Sequence, residues 1–94
     1  MEIYVQFRGK TRKEIGVEDL KVSIDESPFI FDLFDVLEDQ LHWPFKKRFV
    51  DPETGDLQGK VIVLVNGLPI RGKIKSIRLR DGDKVILFPH TVCG

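Results

Sequence analysis

The sequence predicts an α+β domain in which one main helix packs on one face of a mixed four- to five-stranded sheet. Apolar and polar residues alternate along 3–7 and again along 20–24, which is the period of half-buried strands. A single long segment, 30–41, repeats apolar residues at helical spacing. Two apolar runs, 61–65 and 85–88, supply further strands. One helix and several strands can bury their apolar sides only against each other.

The two N-terminal strands are predicted to be separated by one helical turn. Thr11 and Glu14 have the spacing of a capping box, and Gly16 suits the left-handed position that follows a last turn. The second strand then carries Leu20 and Val22 towards the core.

The long helix is predicted to begin at Ser27-Pro28, with Ser27 as its cap and Pro28 in its first position, where a missing N–H has no cost. Its apolar stripe consists of Ile30, Leu33, Phe34, Leu37 and Leu41. Its other side carries the carboxylates Asp32, Asp35, Glu38 and Asp39. Trp43 ends the helix, because the residue before a proline such as Pro44 avoids the α region.

Residues 45–60 are predicted to be irregular, with strong turn chemistry at 51–55. The run 61–65 is apolar throughout, which is typical of a strand covered on both faces, or nearly so. Asn66-Gly67 is the strongest hairpin signal in the chain.

The strand after this hairpin is predicted to be short and to lie at an edge, because Pro69 cannot donate to a ladder. A tight turn over 81–83 leads into the last buried strand, 85–88, and Pro89 stops it. The first and last strands are apolar enough to lie side by side in the centre of the sheet. The predicted organisation is a single domain, 1–89, followed by a flexible tail, 90–94.

Composition excludes several classes of protein. The 94 residues contain one cysteine and two histidines, too few for a disulfide framework or a Cys₄ metal site, so we expect no metal. No apolar run approaches the roughly 18 residues that a bilayer span needs, so we expect a soluble, cytoplasmic protein without a membrane partner. The composition favours a thermophilic source, because charged residues are abundant and Asn, Gln, Met and Cys are few.

The charges balance in total but are unevenly distributed. Residues 22–45 contain six acids and no Lys or Arg, and residues 71–80 contain five cations and no acid. Such patches of opposite sign could steer a charged partner, although an ordinary charged surface explains any single residue equally well. We expect no nucleic-acid partner, because the net charge is zero and no aromatic residues interleave the cations.

Catalytic groups are nearly absent from the sequence. Cys93 and His90 lie three residues apart in the predicted tail, where a preorganised nucleophile and base are not expected, and His42 stands alone. The tail itself has useful properties. Its five residues beyond Pro89 reach about 17 Å, and its last residue, Gly94, has no side chain to obstruct attack on its carboxylate.

Three segments resemble the MoaD/ThiS group of ubiquitin-like proteins. They are 61–67 (VIVLVNG), 79–85 (LRDGDKV) and the Phe88-Pro89 pair with its short tail to Gly94. The residues 12–16 and 52–57 resemble the short helical turn and the longer loop of that family. The likeness covers essentially the whole chain.

The resemblance implies a β-grasp (ubiquitin-like) fold and the function of a sulfur carrier rather than an enzyme. An adenylating enzyme of the ubiquitin-activating type would use ATP to activate the Gly94 carboxylate, and the chain itself would bind no cofactor. The residues that would bind the partner and orient the tail on it are Phe88, Pro89, His90, Thr91, Val92 and Cys93. The large subunit of a synthase, as in molybdopterin synthesis, is a second implied partner.

One position departs from the family pattern. The family usually ends Gly-Gly, whereas Cys93 occupies the penultimate position here, and its side chain could obstruct a channel built for two glycines. Three functions therefore stay open: a sulfur carrier for cofactor, thiamin or tRNA thiolation, a modifier conjugated to lysines, and a binding module with an inert tail.

Overall fold

The computed structural model describes residues 1–25, 28–70 and 74–88 and contains eight elements within them. In chain order they are β1 Glu2–Phe7, α1 Lys10–Ile15, β2 Asp19–Ser23, α2 Ile30–Leu41, α3 Phe45–Phe49, β3 Ile62–Val65, β4 Leu68–Pro69 and β5 Lys84–Phe88. The strands form one sheet in the order β2-β1-β5-β3-β4. The predicted mixed sheet with one main helix is confirmed.

The first and last strands lie side by side in the sheet, as predicted. β1 runs parallel to β5, with Val5 opposite Val85, and every other pairing is antiparallel. β5 is the third of the five strands and therefore has neighbours on both sides. Its position explains why Val85 and Leu87 are completely buried.

The sheet has two chemically different faces. The inner face carries residues that are fully buried against the helices, such as Ile3, Val5 and Phe7 of β1. Helix α2 supplies the opposite side of this core with Ile30, Leu33, Phe34 and Leu37, all with no exposed surface. In the described part of the chain no helix packs on the outer face, and Tyr4 and Ile62 are 44% and 40% exposed there.

The prediction that 61–65 is covered on both faces is therefore wrong for one face. Val63 points inward and is 1% exposed, whereas its neighbour Ile62 points outward. A strand needs layers on both sides to bury both sets of side chains, and the helices in the described residues pack on the inner side.

The start of the long helix also differs from the prediction. α2 begins at Ile30 with Phe29 as its N-cap, so Pro28 precedes the helix, and Ser27 lies outside the described residues. The cause is tertiary: Ile30 donates its N–H to the Ile77 carbonyl, and the Leu79 N–H donates to the Pro28 carbonyl. These bonds hold 28–29 extended. The Asp32 carboxylate then accepts the Phe29 N–H at 2.9 Å and begins the helix.

The shorter helices bring two further corrections. α1 begins at Lys10 with Gly9 at its N-cap, two residues before the predicted cap Thr11, whereas the left-handed Gly16 at its end is confirmed (φ 81°). Residues 45–60 are not entirely irregular, because 45–49 form α3. Phe45 and Phe49 are both fully buried, and their rings stack 6.3 Å apart. Two phenylalanines four residues apart were the available signal for this helix.

The predicted turns are confirmed. Asn66-Gly67 joins β3 to β4 with both residues at positive φ, 52° and 84°, as a two-residue type I′ hairpin requires. Gly82, at φ 86°, turns the chain into β5. β4 contains Pro69 and is the edge strand beside β3.

Candidate functional site

The candidate site is the outer face of the sheet at the end of β5, where the predicted tail begins. Of the predicted site residues, the structure describes Phe88 alone. Pro89, His90, Thr91, Val92, Cys93 and Gly94 lie outside the described residues. The tail boundary at 90–94 therefore stays a prediction.

Phe88 ends β5 on the outer face and is half-buried. It pairs across the ladder with Ile62, and the next outward position, Ile86, pairs with Leu64. Opposite residues in a sheet point to the same face, so these four apolar side chains form two adjacent cross-strand pairs. Tyr4 of β1 lies diagonally from Ile86, because Tyr4 pairs with Lys84.

We call Tyr4, Ile62, Leu64, Ile86 and Phe88 the outer-face patch. It is an apolar surface without a covering layer in the described part of the chain, and exposed apolar clusters of this kind mark protein interfaces. Pro89 follows Phe88 directly in the sequence, and the predicted tail begins at the next residue, His90. A partner that covered the patch would therefore meet the start of the tail.

Sequence reasoning identified Phe88 but missed the other members of this patch. The signal was present, since Ile62 and Ile86 are apolar at positions that alternate with core residues. An apolar run alone predicts burial within the chain. In a sheet with one helical layer, however, the outward apolar side chains stay exposed and can contact a partner.

The turn at the opposite end of β5 is held by a polar network around Asn66 and Asp83. The Asn66 amide donates to Asp83 Oδ1 at 2.9 Å, and Asn66 Oδ1 accepts the Lys84 N–H at 3.0 Å. Asp83 Oδ2 accepts the Arg80 N–H at 2.7 Å. The two motifs that carry the family resemblance, 61–67 and 79–85, thus contact each other. They fix the register of β3 against β5 and so the position at which β5 ends.

The acidic and basic segments are adjacent in space. Lys75 Nζ lies 4.8 Å from the centroid of the Phe31 ring in α2, and Arg78 Cζ lies 4.3 Å from the Phe29 ring. Arg71 and Lys73 lie outside the described residues. Cations from the 71–80 segment therefore meet the first turn of the acidic helix.

Lys46 of α3 further reduces the negative charge of α2. Its ammonium group forms an ion pair with Asp35 and lies 3.8 Å from Glu38 Oε1. The hydrogen bond with the Asp35 side chain raises the pKa of Lys46, and desolvation opposes the rise. The acidic face is thus partly neutralised within the fold, which weakens it as a surface for steering a cationic partner.

Catalytic and metal-binding groups do not converge in the described residues. Among them, no three His, Cys, Asp or Glu side chains could hold a metal ion together. His42 caps the end of α2 in a left-handed conformation, φ 56°, which is a structural position. None of the helices in 1–25, 28–70 and 74–88 has the length and apolar character that a bilayer crossing requires.

Sequence comparisons alone do not place the chain. No protein family profile matches it, and no curated protein matches it in sequence. The comparison with solved structures is informative instead.

Several solved structures match nearly the whole chain, among them three from different organisms. SAMP1 from Haloferax volcanii has a TM-score of 0.78 and 20% identity over 100% of both chains. A putative molybdopterin converting factor subunit 1 from Pyrococcus furiosus has a TM-score of 0.70 and 24% identity, covering 96% of this chain and 98% of that one. CysO, in its complex with BexX from Amycolatopsis orientalis, has a TM-score of 0.72 and 23% identity, covering 98% and 99%.

These three proteins are a small archaeal modifier, a MoaD-like subunit and a protein found in complex with another chain. Their TM-scores of 0.70 to 0.78 over nearly the whole chain show that they share the fold of this chain. The resemblance to MoaD/ThiS-type proteins is thereby confirmed at the level of the fold, and the chain has the β-grasp, ubiquitin-like fold.

Proposed function

We propose that this chain is a ubiquitin-like sulfur carrier whose Gly94 carboxylate is activated by a separate, ATP-dependent adenylating enzyme. The observation that carries the proposal is the geometry at Phe88. The last strand ends on an uncovered apolar surface, and the predicted tail follows there. A carrier of this kind needs a rigid surface that a partner can grip and a chain end that the partner can reach.

The chemistry explains why a partner is needed. A carboxylate is a poor acyl donor, whereas an acyl-adenylate has AMP as a good leaving group. The Gly94 carboxylate would attack the α-phosphate of ATP and release pyrophosphate, and a sulfur nucleophile would then displace AMP and leave a thiocarboxylate. In this proposal the adenylating enzyme supplies the catalytic groups for these steps, and the chain acts as its substrate.

Two features of the neighbours support a protein partner. One matching protein was crystallised in complex with a second protein, and another is named as one subunit of a converting factor. The outer-face patch of this chain offers a surface of the appropriate kind. The large subunit of a synthase is the partner that we propose for the step after activation.

A second candidate function shares the same activation step. Neighbours with this fold are named small archaeal modifier proteins, which favours transfer of the activated Gly94 to lysine amines of other proteins. The two functions differ in the nucleophile that displaces AMP. A sulfur donor gives a carrier, and a lysine gives an isopeptide.

The test is the intact mass of the chain after incubation with ATP, an adenylating enzyme and a sulfur source. We expect the mass of an adenylate, followed by the mass change of one sulfur-for-oxygen exchange at the C-terminus. A variant that lacks Gly94 is the negative control. An unchanged mass with adenylating enzymes that activate their own carriers would refute the proposal.

The Cys93→Gly variant tests the departure from the family pattern. If the Cys93 side chain obstructs the channel of the partner, the variant is adenylated faster than the wild-type chain. Proteomic detection of Gly94-derived branches on lysines would separate the modifier from the carrier. Partner binding that persists unchanged after removal of 93–94, with no modification of the full chain, would instead identify a binding module.

A further inference from the structure

The two edges of the sheet differ in the backbone groups that they leave unpaired. β2 is the first strand in the sheet order and β4 is the last, so no described strand lies beyond either of them. On β4, Ile70 donates its N–H to the Val63 carbonyl, so the residue before it, Pro69, faces the open edge. Proline has no N–H, and the residue of β4 that faces outward therefore offers no donor.

The β2 edge, in contrast, offers both donors and acceptors. Met1 and Ile24 exchange two backbone hydrogen bonds, of 2.7 and 2.9 Å, and Phe7 donates its N–H to the Glu18 carbonyl at 2.8 Å. Because bonded and non-bonded pairs alternate along an antiparallel ladder, the even-numbered residues of β2 bond with β1. The residues whose N–H and C=O groups point to the open edge are Asp19, Lys21 and Ser23.

The side chains of these three residues are exposed on the outer face and carry opposite charges at adjacent outward positions. Within the described residues, no cation lies within 4 Å of the Asp19 carboxylate. Lys21 lies 3.4 Å from Glu2 in an exposed ion pair. An ammonium group has three N–H donors and can bond a second carboxylate while it keeps the first.

A second copy of β2 fits this edge best in one antiparallel register. A two-fold axis at position 19 or 21 places two aspartates or two lysines opposite each other, which is destabilising. An axis at position 22 brings no opposite charges together. An axis at position 20 places Asp19 opposite Lys21 of the second copy, and Lys21 opposite Asp19, so the edge is complementary to itself. It also brings the two half-buried Leu20 side chains together on the inner face.

We infer that this chain self-associates as a two-fold symmetric dimer, in which β2 pairs antiparallel with β2 of a second copy about position 20. The dimer has one continuous sheet with five strands from each copy. The backbone groups of Asp19 and Lys21 supply the hydrogen bonds, and their side chains select the register. Because β2 has only five residues, the interface is small and the association is weak and reversible.

The dimer goes beyond the proposed function and leaves the outer-face patch accessible. β1 lies between β2 and β5, so the contact is remote from Ile62 and Phe88. In this register the outward residues of both copies point the same way, so both outer-face patches lie on one side of the joined sheet. Association requires neither ATP nor Gly94, and its failure would leave the test of adenylation unaffected.

Sedimentation velocity of the full chain, from micromolar to millimolar concentration, tests the inference. We expect the sedimentation coefficient to rise with concentration towards that of a dimer. Lys21→Asp should lower the association constant about tenfold, because two pairs of like charges then lie opposite each other. Asp19→Lys should lower it by a similar factor. The double variant, with both changes, restores opposite charges and should recover the wild-type association constant to within about threefold.

Lys60→Asp is the matched control, since it reverses the charge of an exposed lysine outside β2 and should leave the association constant unchanged. The Lys21→Asp variant also loses the ion pair with Glu2, but the double variant loses it too. Recovery in the double variant therefore shows that this loss is not the cause. Circular dichroism checks that each variant is folded.

A second measurement needs no variant. In the isotope-labelled wild-type chain, amide chemical shifts at Asp19 and Lys21 should change with protein concentration, and those at Ile62 and Ile86 should not. The inference is overturned by a sedimentation coefficient that stays monomeric up to millimolar concentration. It is equally overturned by shifts confined to the outer-face patch, or by a double variant that associates no better than the single ones.

Discussion

Asn66 shows how much one residue contributes to the position of the candidate site. Its backbone adopts a left-handed conformation, and its side chain connects the β3–β4 hairpin to Asp83 and to the Lys84 N–H. Few residue types tolerate this backbone and offer an amide as well. The preference of Asn66 and Gly67 for positive φ is enough to predict the hairpin from the sequence. The hydrogen bond from Asn66 to Asp83 depends on the fold, because the two residues are 17 positions apart.

We predict that Asn66→Ala lowers the free energy of unfolding by about 1–3 kcal/mol, because it adds backbone strain and removes the hydrogen bonds of the side chain. Urea denaturation measures the change. Asn66→Gly is the matched control, since it keeps the left-handed conformation accessible and loses only the side-chain bonds. Equal losses in the two variants would show that backbone strain at this position is unimportant.

The ion pair between Lys46 and Asp35 predicts that the stability of the folded chain depends on pH. Its pKa is raised above 10.5 in the folded chain, chiefly by the hydrogen bond with Asp35, so the stabilisation is complete below the ordinary pKa and is lost as the pH rises through the raised value. The difference in urea midpoint between the wild-type chain and Asp35→Asn should be constant from about pH 8 to pH 10 and shrink above that. Asp39→Asn, at an exposed position, should show no such change. A difference that grows with alkaline pH would contradict this.

At the scale of an element, α3 depends on its neighbours more than on its own sequence. Five residues are too few for a stable isolated helix. Its two phenylalanines join an aromatic cluster, in which Phe49 lies 5.5 Å from Phe34 and Phe45 lies 4.8 Å from Trp43. This dependence explains why local turn chemistry outweighed the helical signal in the sequence.

The first turn of α3 is fixed by Glu38 of α2, whose carboxylate accepts the Lys46 N–H at 2.7 Å. We predict that Glu38→Ala costs about 1 kcal/mol of stability and raises the amide exchange rates of residues 45–49. Asp39→Ala is the matched control, since it removes an exposed carboxylate from the same helix and should cost less than about 0.5 kcal/mol. An equal loss in both variants would mean that helix charge, rather than the bond to Lys46, accounts for the effect.

At the scale of the whole molecule, the two faces of the sheet have different roles: the inner face stabilises the fold, and the outer face is the one that we expect to bind partners. The helices bury the side chains of the inner face, so we expect substitutions there to affect folding. Within residues 1–25, 28–70 and 74–88 no helix packs on the outer face, so we expect changes there to affect the binding of partners. Ile62 lies on that face and pairs with Phe88, where the predicted tail begins.

We predict that Ile62→Glu lowers the rate of adenylation at least about tenfold at low concentrations of the activating enzyme, which is the loss typical of a central interface residue. The free energy of unfolding should change by less than about 1 kcal/mol, because the side chain is 40% exposed. Pyrophosphate release measures the rate. Ser23→Glu, on the far edge of the same face, should behave like the wild-type chain. Normal activation of Ile62→Glu would exclude the outer-face patch from the interface.

The sequence alone determined the order of the strands, the stripe of α2 and the turn at Asn66-Gly67, because each follows from local periodicity or from backbone preferences of a few adjacent residues. It also placed the first and last strands together in the centre of the sheet. Only the tertiary structure decided that Ile62 and Ile86 face outward beside Phe88, that Phe29 rather than Ser27 precedes the helix, and that the 71–80 cations meet α2. These outcomes depend on contacts between segments far apart in the chain, and the period of a single segment carries no information about what will cover it.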